Sequence, residues 1–222
     1  MITNRAIDEA AAKAMDFVMR SRSGCEYIAD LATGLYGVTA GPAWFPDNLC
    51  HTLNAVDPNV DRQYADPVTV PLHCAVWCDI DRAMLDGTAV PADLPDLYVS
   101  KSEDKLGIHR DPGRILTEAL PVYGRFMEMS AYMLGEVAAA QLYNSLSLAG
   151  EIPGDSPRQA NMALTGALTY STAVDTDTIL TQATGRPLES NDWQRMTRRH
   201  HNVCVSGESR PNPGHHLVPA FH

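Results

Sequence analysis

Residues 114–148 read RILTEALPVYGRFMEMSAYMLGEVAAAQLYNSLSL, the longest apolar-rich run in the chain and the one that decides its fold. Asp111-Pro112-Gly113 in front of it supplies an N-cap and a first helical turn, and Gly150 follows its end. Pro121 lacks an amide donor and collides with the preceding turn, so a break or kink is expected there and the segment is a central helix or helix pair. Beyond it Val122, Phe126, Met129, Met133, Val137 and Ala140 form one stripe, widened by Tyr123, Met127, Leu134, Ala138 and Leu142. A helix apolar over so much of its circumference is buried between other elements or subunits.

Outward from this centre the pattern stays helical. Ile7, Ala10, Ala11, Ala14, Met15 and Val18 recur at spacings of three and four, with Asp8, Glu9, Lys13 and Asp16 elsewhere, which predicts an amphipathic first helix. A second is expected from Cys25 to about Leu35, with Gly34 and Gly37 as stop signals. Residues 41–71 are rich in Pro, Asn and Asp and read as an ordered loop anchored by Trp44, Phe45, Leu49, Leu53 and Val56. Alternation at Val68, Val70 and Leu72 predicts a short edge strand, and Leu97–Val99 a second one. Between them His73–Leu85 reads as a helix ended by Gly87. Ser156-Pro157, Asp175 and Ser190 each mark a further helix start. The fold class is therefore mainly α with minor β: a single helical domain over 1–222 with long Pro-rich loops and an extended C-terminal arm over 206–222.

Composition narrows the function. With 45% hydrophobic and 20% charged residues in 222 the chain can bury a sizeable core and is not a disordered polymer. A formal charge of −10 disfavours a surface that attracts nucleic acid or anionic lipid everywhere, leaving only local basic patches. Lys13, Lys101 and Lys105 are the only lysines among 17 Lys and Arg, a bias that GC-rich coding explains. Five cysteines, an odd number without the dense spacing of a secreted scaffold, imply reduced thiols. Acidic residues in the first twenty positions are unlike a signal peptide, and the longest apolar stretch, 131–143, contains Glu136 and falls short of the roughly 20 residues that cross a bilayer. The expected location is cytoplasmic, or within a virion.

Chemistry-bearing residues form three groups. His73, Cys74 and Cys78 lie within two turns of a helix and, with Cys50 and His51, offer weak candidates for zinc, although buried structural cysteines explain them better. Cys25 follows Ser23-Gly24 at a helix start, where the dipole favours a thiolate, and His73 or His109 could serve as its base. Arg195, Arg198, Arg199, His200 and His201 are the one concentrated basic feature, an interface or anion-binding face with local nucleic-acid contact as one outcome. Asp79 and Asp81, at i,i+2 on a helix, read as surface residues. There is no Gly-rich phosphate loop, no G-x-S-x-G elbow and no H-E-x-x-H, so no cofactor is expected. An apolar central helix, long anchored loops and a terminal arm without a catalytic signature point to a structural or assembly subunit of a large oligomer, such as a viral or phage particle protein, with itself or other subunits as partners. The alternative is an intracellular thiol-dependent hydrolase or transferase with Cys25 as nucleophile.

Overall fold

A computed structural model describes residues 2–36, 41–58, 62, 65–115, 125–149, 162, 164 and 175–206. Helix α1, Ile2–Arg20, buries Ile7, Ala10, Ala14 and Val18 of the expected stripe together with Ala6 and Phe17, while Ala11 and Met15 are only half-buried. Ser21 turns the chain into α2, Arg22–Tyr36: its amide bonds to the Val18 carbonyl at 3.1 Å, and its Oγ accepts from the Gly24 amide at 3.1 Å as a cap. Gly24 is required here, because a Cβ would collide with the carbonyls of Val18 and Met19.

Helix α3, Pro46–Leu53, starts on a proline and ends at Asn54. The expected edge strand is absent: Asp66 caps a turn by accepting from the amides of Val68 and Thr69 at 2.8 and 3.0 Å, and α4, Val70–Leu85, begins at once. Local capping thus overrides the alternation of Val68, Val70 and Leu72. The second expected strand falls inside α5, Leu94–Leu106, where Pro95 sits in the first turn and Gly107 closes the helix at φ +69°. Pro91 opens the short 3-10 turn over Pro91–Asp93 that leads into α5. Among the described residues there is no strand, and the mainly helical reading stands.

Helix α6, Glu128–Ala149, is the long central helix. Pro121 and the start expected at Ser156-Pro157 lie outside the described residues. The entry to α6 is held at Met127, a non-glycine residue at φ +58°, whose amide donates to Asp81 Oδ2 at 2.7 Å. Two more helices follow: α7, Thr176–Thr184, capped by Asp175 accepting from the Thr178 amide at 2.9 Å, and α8, Asn191–Ser206. Ser206 closes α8, and the rest of the expected arm, 207–222, lies outside the described residues.

Two cores share α6. Its C-terminal half (Ala138, Ala139, Ala140, Leu142, Leu146) packs with α1, with Ile179 and Leu180 of α7 and with Met196 of α8. Its N-terminal Met129 packs with Cys74, Val76, Trp77, Cys78 and Ile80 of α4 and Tyr98 of α5, the Trp77 and Tyr98 rings lying 5.6 Å apart. Small residues let α1 and α6 approach closely: a Cβ on Gly135 would stand 2.7 Å from Glu9 Cβ and 3.2 Å from the Ala6 carbonyl. The loop anchors fare less well, for Trp44, Phe45 and Val56 are all exposed.

Candidate functional site

The α1–α6 seam carries charge. Glu136, the next residue of α6, meets Lys13 of α1 and is fully buried at 0% exposure. Lys13 Nζ lies 2.8 Å from Glu136 Oε1, whereas Oε2 has no hydrogen-bond partner among the described residues. Burial pushes the Glu136 carboxyl above its ordinary range, and Lys13 only partly pulls it back. For Lys13 burial acts against the ammonium, but Glu136, with Asp16 and Glu9 near it, holds the pKa above the ordinary value. Cys74 of α4 feels the same cluster: burial raises its thiol to about 12, while Arg62 opposes and Glu136 adds to the rise. Strongly perturbed acids and bases gather where function is built, which makes this the strongest candidate centre in the described residues. As placed it is an ion pair, buried on its Glu136 side and partly open at Lys13, that fixes one helix against another.

The donor set does not suit a metal. Among the described residues no group of three or more His, Cys, Asp or Glu side chains is placed to hold one, and an ammonium beside Glu136 would repel a cation. Of the sequence's metal candidates, Cys74 and Cys78 are buried in the α4 core, Cys74 Sγ lying 3.9 Å from Met129 Sδ and Cys78 Sγ 3.1 Å from Ser130 Oγ. His73 is also buried on α4, while His51 is exposed on α3 and Cys50 half-exposed.

Cys25 does not have the surroundings of a nucleophile. Burial, then the neighbouring Cys50 thiol, push its pKa up to about 12, and Arg22 is too weak an opposing charge. The helix-start argument fails because the Cys25 thiol itself is fully buried, turned toward the Met19 and Arg20 carbonyls at the end of α1. The proposed bases lie elsewhere, His73 in the α4 core and His109 on the surface with its Nδ1 2.6 Å from Glu103 Oε1.

The basic segment lies on α8. Arg195 and Arg198 line a shallow groove of about 320 Å³ with Asn191 and Gln194. Arg195 and Arg186 both bond to Asp192, which is 1% exposed, so one of the two groove arginines is committed to an internal pair. Arg199, His200 and His201 continue α8. Sequence reading missed the buried carboxylates. Asp81, for which the spacing from Asp79 predicts a surface position, is buried under the Met127 turn with its pKa raised by burial, whereas Asp79 stays near the surface, 3.6 and 3.5 Å from Lys101 and Lys105. A lone Glu beside a Gly in the apolar run LGEVAAAQL was the available signal for Glu136.

No described helix is long and apolar enough to cross a membrane. A family model described as Carboxypeptidase Taq (M32) metallopeptidase matches residues 7–199. Carboxypeptidase 1 of Bacillus subtilis (strain 168) is 34% identical over 98 residues, which cover 43% of this chain and 20% of that protein. Thermostable carboxypeptidase 1 of Thermus thermophilus is 33% identical over 95 residues, 41% of this chain and 18% of the relative. Among solved structures, the Pyrococcus furiosus carboxypeptidase superposes with a TM-score of 0.77 at 19% identity, covering 88% of this chain and 41% of that one. The Trypanosoma cruzi metallocarboxypeptidase 1 gives 0.72 at 24% identity, covering 83% and 40%. The chain therefore spans about two fifths of those structures. These matches overturn the expectation of an assembly, capsid or virion subunit, and that of a thiol hydrolase: an apolar central helix with anchored loops is equally the interior of an all-helical peptidase fold.

Proposed function

The chain belongs to the carboxypeptidase Taq (M32) metallopeptidase family, and from that membership we propose that it serves the metal-assisted removal of residues from the C-terminal end of peptides. The match over residues 7–199 is the observation that carries this reading. Within it the described residues act as frame. The Gly135 crossing and the Lys13–Glu136 pair lock α1 to α6, and α6 joins the two cores on which a substrate cleft would rest. The described residues do not fit a metal centre and the sequence contains no H-E-x-x-H, so no step of the hydrolysis is assigned to them.

A peptide with a free C-terminus, incubated with the purified chain and divalent metal and followed by mass spectrometry, tests the proposal. Stepwise C-terminal loss that stops with a chelator, and that a C-terminal amide blocks, is the expected result; no loss with any divalent ion rejects it for this chain. Glu136→Gln tests the framing role separately. A folded variant that has lost bound metal would make Glu136 a ligand and reject the frame assignment.

The α8 groove supports a second, smaller proposal, an anion-binding face at Arg195 and Arg198. Unchanged affinity for inorganic phosphate after replacing both with Ala would reject it.

A further inference from the structure

Three donors converge on one backbone oxygen where α1 passes into α2. The Arg20 carbonyl accepts from Asn54 Nδ2 at 3.0 Å and has Cys50 Sγ at 3.8 Å and Cys25 Sγ at 3.9 Å. Cys25 stands in the first turn of α2 and Cys50 near the end of α3, so two thiols from different helices meet at this corner. Both sulfurs lie within 4 Å of that one oxygen, and Arg22 lies near both. Both are free thiols, but their access differs: Cys25 is fully buried and Cys50 is half-exposed. Arg22 also bridges the corner, pairing with Glu26 on α2 and Asp47 on α3.

We propose that Cys25 and Cys50 are a two-electron redox pair, which a hydroperoxide converts to a disulfide joining α2 to α3. Access sets the order of events. The Cys50 sulfur attacks a peroxide oxygen, the O–O bond breaks, and with hydrogen peroxide the products are a sulfenic acid on Cys50 and one water. Cys25 then gives up its proton and its sulfur attacks the Cys50 sulfur. The S–O bond breaks and hydroxide leaves with that proton as a second water. Two thiols are oxidised by two electrons in all, and one peroxide is reduced. The buried Cys25 thiol has its pKa pushed to about 12, so closure draws on a small thiolate fraction near neutrality and quickens about tenfold for each unit of rising pH. Dimedone present from the start therefore competes with closure for the sulfenic acid.

The experiment treats the full 222-residue chain with hydrogen peroxide, with and without dimedone, and reads intact mass and protease-derived peptides. Without dimedone the chain loses two hydrogens, a linked peptide pair containing Cys25 and Cys50 appears, and dithiothreitol reverses both. With dimedone present from the start, the adduct falls on Cys50 and the linked pair diminishes, a readout in the unaltered protein that needs no variant to fold. Cys25→Ser leaves the Cys50 sulfenic acid as the trapped end point, and Cys50→Ser abolishes the link. Linkage of either residue to a different cysteine, or passage of Cys50 to sulfinic acid at every pH from 7 to 9 with no Cys25 link, overturns the proposal.

Discussion

Gly135→Ala and Gly34→Ala make the same chemical change in two helices, and the structure gives them opposite signs. In an open helix the added methyl stabilises by up to about 1 kcal/mol, because glycine loses more backbone entropy on folding. Gly34 on α2 meets nothing within 4 Å of its would-be Cβ, so it should keep most of that gain. At Gly135 the new carbon would lie 2.7 and 2.8 Å from Glu9 Cβ and Cγ and 3.2 Å from the Ala6 carbonyl. Ordinary carbon contacts need roughly 3.5–4.0 Å, so α1 must retreat by about 1 Å along its tightest contact. Overpacking of this kind costs about 1–3 kcal/mol, and the retreat also stretches the Lys13–Glu136 pair. The upper part of that range wins over the propensity gain, for a net loss of about 1–2 kcal/mol. In a chain of this size that lowers Tm by roughly 2–8 °C, against a rise of about 2–4 °C for Gly34→Ala. Thermal melts followed by circular dichroism measure both. A Gly135→Ala protein that melts at or above the wild-type temperature would refute the close α1–α6 crossing.

Lys13→Met leaves the Glu136 carboxylate buried without its counter-charge and should cost about 3 kcal/mol at neutral pH by urea denaturation. Burial holds the folded pKa of Glu136 above the unfolded value, so protonation relieves that cost: the deficit of Lys13→Met is full above the folded pKa and shrinks as pH falls through it, and a deficit constant down to pH 5 would contradict the placement. Glu136→Gln should be milder, since Lys13 is about a quarter exposed and can turn its ammonium to water. Gln141, at 0% exposure, donates to Thr184 Oγ1 and the Pro187 carbonyl and accepts from the Glu189 amide, each at 2.9 Å. Gln141→Leu strands those groups and should lose about 2 kcal/mol, with faster hydrogen exchange at Glu189 as its local signature. Iodoacetamide should label Cys25 at pH 8 at least about tenfold more slowly than an unperturbed thiol, and its rate should still be climbing above pH 10; early saturation would show a thiol of ordinary pKa.

The helical class was legible because it rests on local periodicity, and Ala10, Ala14, Ala138 and Leu142 lie where the apolar spacing puts them. The two strands were misread for a local reason as well. Three alternating residues weigh less than an Asp cap at 66 or a proline in a first turn at 95. The site was much less legible. Glu136 is informative only because Lys13, more than a hundred positions away in sequence, comes within 2.8 Å of it, and spacing within one helix cannot announce that. Asp81 was judged by its own helix, while its burial comes from the turn at Met127 folding over it. For Cys25 the helix-start rule was correctly located but outweighed, since burial against α1 removes the water that would stabilise a thiolate. Residues 7–199 identify the family through similarity spread along the chain, not through a short motif that one sequence displays.

The seam between α1 and α6 also has a consequence in time. Helix α1 ends at Arg20 and α6 begins at Glu128, so the ribosome makes about a hundred residues between them, which takes on the order of 5–20 s. Throughout that interval Ala10, Ala14, Phe17 and the Lys13 ammonium lack the surface that receives them. Folding of this chain is therefore tied to the completion of α6, and a nascent chain arrested before about residue 149 should expose its first helix to proteases and chaperones however well α2 to α5 have already formed.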